Sequence, residues 1–436
     1  MSYVRGSLLL LFAVLLAHAP FASATSAVHK FSPREAQPAL DPSAPNSDHI
    51  AEAPAAAATA ATAAARTLAP PARGLLHVFL PGTGSAPSCC TDLLASSAAA
   101  GFHTLGLSYQ WCSKPVAATA AWCDQHAPSD CGCQGRVHVA VCEGGAVPGL
   151  VDVSAASSIV SRLGAALVYL HAHWPEEGWS RYLVTAAAAA AGGRAGGGAR
   201  LNGGGGGGGG GGGVGSAIAW DKIVLSGHSQ GAGHAAWLAK LRYSVAGVVP
   251  ISGPEDSHPD CSWVAASGGG GGGGGAAGPS ATPVSRFVPL AHSAEDSVEE
   301  IKANWAALGI LGMGGAGNGG EAAAAGNASS SCAVDVGDAT GGAAAAWGGA
   351  CALLTSVKPA IDVKELRPEH CSTAVDAFTP KVQQHAEHAG RGGRGGGGRT
   401  RRNASDDGSG RAAAAEAALY ALEVWPWLLG AAAAAE

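Results

Sequence analysis

The segment Trp220 to Lys240, WDKIVLSGHSQGAGHAAWLAK, constrains the fold more than any other stretch of the chain. Ile223, Val224 and Leu225 are consecutive and apolar, as in a strand buried on both faces, and Gly231 onward reads as a helix. Between them lies Gly227-His228-Ser229-Gln230-Gly231, a G-x-S-x-G pattern. A strand that enters a helix over so few residues turns sharply at the serine, and side chains two positions to either side would collide. Glycine at 227 and 231 removes both collisions. Gly231, Ala232, Gly233, Ala235 and Ala236 are small enough to let the helix lie close to the sheet, and its N-terminus aims partial positive charge at Ser229.

The pattern alone has little weight in a chain with 67 glycines among 436 residues, where chance produces it readily. Its context carries the argument: a buried strand before it, a small-residue helix after it, and a second glycine loop upstream. The competing reading is a glycine-rich strand-helix turn without chemistry.

Composition divides the rest of the chain. Met1 to Ala24 has one arginine, an apolar core from Leu8 to Ala17 and Ala22-Ser23-Ala24 as a small-x-small site, so residues 1–24 read as a secretory signal peptide cleaved after Ala24. That core is too short to span a bilayer, and no membrane span is expected. Residues 25–73 are rich in Pro, Ala, Ser and Thr and read as a disordered linker without a strand. Residues 74–380 form the expected folded domain, with flexible alanine and glycine insertions at about 186–217, 266–279 and 312–349. A Gly/Arg linker over 381–410 and an Ala-rich helix over 411–436 complete the chain.

A net charge of -6 with 13% charged residues gives no sign of a nucleic-acid or membrane-surface partner, and the RGG-like run near Arg391 reads as solvated linker behind a signal peptide. The glycine tracts have no G-X-Y period, which excludes a collagen-like matrix protein. Eleven cysteines in an oxidising compartment imply disulfides and leave at least one thiol over. Cys123, Cys131, Cys133, His138 and Cys142 lack a C-x2-C pair, so disulfides are expected there rather than zinc, and no metal or other cofactor is called for. Asn327-Ala-Ser and Asn403-Ala-Ser fit the N-glycosylation pattern.

Within the domain, Gly74 to Leu80 reads as a strand running into Pro81-Gly82-Thr83-Gly84, where glycine lets the backbone approach a substrate carbonyl. A short helix is expected over 91–100, a strand over 102–109, an irregular Cys-rich surface loop over 111–150, and a helix from Asp152 to about His173 capped by Asp152 or Ser154. After the Ser229 helix follow strands at 245–251 and 286–291, a helix from Ser297 to Leu308, and a last strand over 351–358. Strands alternating with helices imply a mostly parallel sheet of about six strands with helices on both faces, an α/β fold.

A serine becomes a nucleophile when a histidine takes its proton, and the histidine needs a carboxylate to fix its tautomer. In α/β-hydrolases these follow in the order serine, acid, histidine. Beyond the last strand lie His370, His385 and His388; the latter two sit in a polar tail, which leaves His370. Asp296 follows the 286–291 strand and is favoured as the acid; Asp256, beside Glu255 after the preceding strand, is the alternative. As plain structure, Asp296 would cap a helix and Asp256 would sit in a turn.

Leu80-Pro-Gly-Thr-Gly84, Gly106-Leu-Ser-Tyr109, Ser226 to Ala235, Ser252-Gly-Pro-Glu-Asp256, His292 to Asp296 with Asn304-Trp305 and Leu308-Gly309, and Glu369-His370 with Val375-Asp376 together resemble a secreted branch of the α/β-hydrolase superfamily over about Gly74 to Asp376. The resemblance implies Ser229, Asp296 and His370 as the triad, with a sheet whose first two strands are absent. With it, the backbone amides of Gln230, Thr83 and Gly84 become the expected oxyanion hole. The expected function is a secreted serine hydrolase that acts through an acyl-enzyme on a small or polymeric carboxylic ester. A serine peptidase, a lipase-like enzyme, an acyltransferase of the same fold, or an inactive binding protein of that fold are the alternatives.

Overall fold

A computed structural model describes residues 27–40, 47–54, 73–110, 119–184, 217–256, 262–265, 280–310, 333–335, 352–355 and 429. The expected signal peptide, both tail segments apart from Leu429, most of the low-complexity insertions and His370 lie outside the described residues.

The chain begins with β1 (Val28–Phe31), α1 (Pro33–Ala36), β2 (His49–Glu52), β3 (Leu76–Leu80), α2 (Thr91–Ala99) and β4 (His103–Gly106). Then come α3 (Thr119–His126), α4 (Cys133–Glu143), the hairpin β5 (Gly145–Val147) and β6 (Val151–Val153), and α5 (Ile159–His173). The second half holds β7 (Ile223–His228), α6 (Gln230–Leu241), β8 (Gly247–Ile251), β9 (Leu290–His292), α7 (Val298–Ala307), β10 (Ala333–Asp335) and β11 (Ala352–Thr355).

Nine strands form one mixed, mostly parallel sheet in the order β1-β2-β4-β3-β7-β8-β9-β11-β10. Within this sheet, among the described residues, only the β1–β2 and β2–β4 pairings are antiparallel. From β3 the chain first adds β4 on one side and later β7 on the other, so its direction across the sheet reverses between β3 and β7. Crevices open at the carboxyl ends of strands at such a reversal. The register Leu80↔Gly227 brings the loops that leave β3 and β7 together there.

Side-chain alternation assigns the layers. Leu76, Val78 and Leu80 of β3 join Val137 of α4, Leu163 and Leu167 of α5, and Trp237 of α6 in the main core. His77, on the opposite face of β3, bonds the hydroxyls of Ser97 on α2 at 3.0 Å and Ser226 on β7 at 2.5 Å. Helices therefore cover both faces. Among the described residues no helix is long and apolar enough to cross a membrane.

Several expectations are corrected. The sheet does not lack opening strands: β1 and β2 precede Gly74, in the span read as linker. Each has only four residues, too few for a clear period. They are fixed by distant partners: β2 pairs with β4, and the buried His49 accepts a hydrogen bond at Nδ1 from the Ser108 amide at 3.0 Å. Of the 111–150 span expected as an irregular loop, the described residues 119–150 are mostly regular, because Val137, Ala140 and Val141 give α4 a buried face and the Cys123–Cys133 disulfide ties α4 to α3. The long helix starts at Ile159, not Asp152, and its cap is Ser158, which accepts from the Ser161 amide. Val151-Asp152-Val153, buried-exposed-buried, follows the strand period instead. The strand expected over 286–291 is shorter and shifted towards its end, at Leu290–His292.

Burial sets a pH dependence. Desolvation holds the His49 and His77 pKa values down at about 3 and His103 at about 4. The charge of Arg162 adds to the effect at His49, while the hydrogen bond from His103 to the Glu177 carbonyl opposes it. Unfolded histidines titrate near 6.5, so between that value and the folded pKa the unfolded chain binds more protons. Stability contributed by these groups is full above about 6.5 and falls as pH falls; at pH 5 each histidine costs about 2 kcal/mol. Urea unfolding at pH 7.5 and pH 5 is expected to show the loss, and equal stability at the two would contradict it.

Candidate active site

Ser229 follows the last residue of β7 and is the N-cap of α6, with φ 54° and ψ -122°. It and Ser252 are the non-glycine residues with positive φ among the described residues. Such a conformation costs about 1–3 kcal/mol and persists where neighbours overdetermine it. Here the Ser229 amide donates to the Ile251 carbonyl of β8 at 2.9 Å, and the Ser229 carbonyl accepts from the amides of Ala232 at 2.9 Å and Gly233 at 3.3 Å. The hydroxyl makes no capping bond, although serine at an N-cap commonly does. The residue is only partly exposed, at the start of a twelve-residue helix whose dipole favours negative charge at this end.

The two glycines of the motif are required sterically. A Cβ on Gly227 would lie 2.2 Å from the Gly231 carbonyl oxygen, and one on Gly231 would lie 2.0 Å from the Leu80 carbonyl oxygen. Helix α6 thus rests against the end of β3.

The loop after β3 lies over the same turn. A Cβ on Gly82 would meet His228 Nδ1 at 3.0 Å and the Ser229 Cβ at 3.2 Å. The Ser85 amide closes the loop onto the Gly82 carbonyl at 3.1 Å, and Gly84 takes φ +71°. The Thr83 hydroxyl donates to Gln230 Oε1 at 2.8 Å, joining two of the residues expected to supply oxyanion amides. Ser229, Gln230, Gly227, Gly231 and the Thr83-Gly84 loop therefore form one constellation.

The acids stand on the loops that leave the neighbouring strands. Asp296 lies between β9 and α7 and is exposed. Its neighbour Glu295 is buried and accepts the His292 amide at 3.2 Å. Asp256, after β8, is 5% exposed; its carboxylate lies 3.8 Å from His138 Nε2 and its carbonyl accepts from Asn304 at 3.0 Å. Ser297 donates to Glu255, which joins the two acid-bearing loops. His370 is outside the described residues, so the histidine expected beside Ser229 and Asp296 has no position here.

Sequence reasoning gave no role to a buried pair beneath the turn. His138 Nδ1 of α4 and His234 Nδ1 of α6 are 2.8 Å apart, so one donates and the other accepts. Burial, and then His138, hold the His234 pKa well below its ordinary value. The sequence signal for His234 was its place five positions after the serine among the small residues Gly231, Ala232, Gly233, Ala235 and Ala236. Among the described residues no group of three or more His, Cys, Asp or Glu is arranged to hold a metal ion, and Cys123 and Cys133 are joined to each other.

A strained serine at a helix N-terminus, with a glycine loop folded over it, can present a hydroxyl and backbone amides to one carbonyl. Comparison with protein-family models finds no match, and comparison with curated proteins finds none either.

Proposed function

We propose that the protein is a secreted serine hydrolase of the α/β-hydrolase fold, acting on a carboxylic ester through an acyl-enzyme on Ser229. The observation that carries this reading is the Ser229 backbone, φ 54° and ψ -122°, at the carboxyl end of β7 with Gly227 and Gly231 in contact distances that admit no side chain. A turn serving structure alone has no need of a serine in this region, since glycine adopts it without strain. The sheet order supports the fold: a reversal between β3 and β7, one antiparallel strand next to β4, and acid-bearing loops after β8 and β9.

In the proposed mechanism His370 removes the Ser229 proton as the hydroxyl attacks the ester carbonyl, and the oxyanion lies against the amides of Gln230 and Thr83. His370 then returns the proton to the leaving alcohol, and water repeats the sequence on the acyl-enzyme. Asp296 holds the imidazole. The signal-peptide pattern of residues 1–24 supports secretion.

Stopped-flow hydrolysis of p-nitrophenyl butyrate tests the acyl-enzyme. The expected trace has a burst of nitrophenol approaching one equivalent per chain where deacylation is slower than acylation, and hydroxylamine is expected to intercept the acyl group as a hydroxamate in either regime. Turnover with no hydroxamate formed would contradict a covalent intermediate.

A further inference from the structure

Two side chains outside the proposed triad hold the loop that would carry the oxyanion amides. Tyr109 stands three residues past β4, fully buried, and donates its hydroxyl to the Pro81 carbonyl at 2.6 Å. Its ring meets the His234 ring edge-on, with centroids 5.5 Å apart at 88°, and His234 is held in turn by His138. The tyrosine therefore touches both the helix that follows Ser229 and the loop that folds over it.

The peptide between Pro81 and Gly82 is trans, so its carbonyl and N–H point in opposite directions. Anchoring the Pro81 oxygen inward on Tyr109 turns the Gly82 N–H outward and fixes the plane from which the loop departs. One residue on, the Gly82 carbonyl is occupied by the Ser85 amide, which leaves the Thr83 N–H, antiparallel to that carbonyl in the next peptide, pointing away from Ser85. The Thr83 hydroxyl closes onto Gln230 Oε1 at 2.8 Å at the exposed end. The loop is thus fixed from below by Tyr109 and from above by Thr83, and its amides cannot turn away without breaking one of these bonds.

We infer that the Tyr109 hydroxyl and the Thr83 hydroxyl are positioning residues that hold the oxyanion loop at its working distance from Ser229, an inference that rests on the hydrolase reading above. Neither hydroxyl touches substrate in this account. Each acts through the Thr83 amide, whose misorientation weakens transition-state binding and leaves ground-state binding alone.

The test compares Tyr109→Phe and Thr83→Val with the wild-type protein. The readouts are kcat and KM for p-nitrophenyl butyrate, and Ki for an aryl trifluoromethyl ketone, whose hemiketal oxyanion occupies the same hole. Each variant is expected to lose about ten- to a hundredfold in kcat, less than the loss of an oxyanion donor itself, with KM within about twofold. Ki is expected to rise by the same factor as kcat/KM falls. Thr83 is exposed, so Thr83→Val keeps the test open should Tyr109→Phe not fold. Unchanged kcat and Ki in a folded variant, or a rise in KM at constant kcat, would overturn the inference while the hydrolase reading stands. A wild-type protein that neither turns over the ester nor binds the ketone would remove both.

Discussion

Ser229→Ala is expected to lower kcat for an activated ester by on the order of 10⁶, the loss seen when a triad nucleophile is removed, while the fold is retained. The hydroxyl makes no capping bond to α6, and the strained backbone is held by the Ile251 carbonyl and by the amides of Ala232 and Gly233. Removing one oxygen leaves those contacts in place. A methyl group at this position is no larger than the carbon serine already carries, so no neighbour must move. Circular dichroism and the melting temperature are expected to match the wild type within a few degrees. A variant that keeps its activity would remove Ser229 from the chemistry, and one that loses its fold would assign the residue a structural part this geometry does not give it.

Asp296→Asn is expected to lower kcat by on the order of 10⁴ with the fold intact, because an amide leaves the imidazole in the wrong tautomer and cannot stabilise its cation. Asp256→Asn is expected to cost far less in kcat. Its carboxylate is buried and faces His138 at 3.8 Å, and its main chain is tied to Asn304, so its effect belongs to packing and stability. The two variants are compared on kcat with melting temperatures measured beside them. A large loss in Asp256→Asn together with a small one in Asp296→Asn would move the acid to the loop after β8.

The elbow was legible because its requirement is local. Glycine at 227 and 231 answers contacts of 2.2 and 2.0 Å within a few residues and one neighbouring strand, and three consecutive apolar residues mark the strand before it. The glycine loop after β3 was legible for the same reason. What escaped was set by distant partners. Strands β1 and β2 are four residues each in an alanine- and proline-rich span, and it is the pairing of β2 with β4, and of β1 with β2, that makes them strands. The α3 and α4 helices were hidden by short apolar runs between cysteines, although Val137 and Val141 stand four apart as one helix face requires. The His138–His234 contact joins residues 96 positions apart. Tyr109 was visible as the end of an expected strand and in the Gly106-Leu-Ser-Tyr109 segment, but not its part in holding Pro81, since its hydroxyl bonds a carbonyl 28 residues away.

The nucleophile is tested most directly by reacting the intact protein with a fluorophosphonate and sequencing the labelled peptide. The account predicts one phosphonyl group per chain, on Ser229 within the peptide that contains Gly227-His228-Ser229-Gln230-Gly231, and no label after prior denaturation. No adduct on the folded protein, or an adduct on another serine, would contradict it.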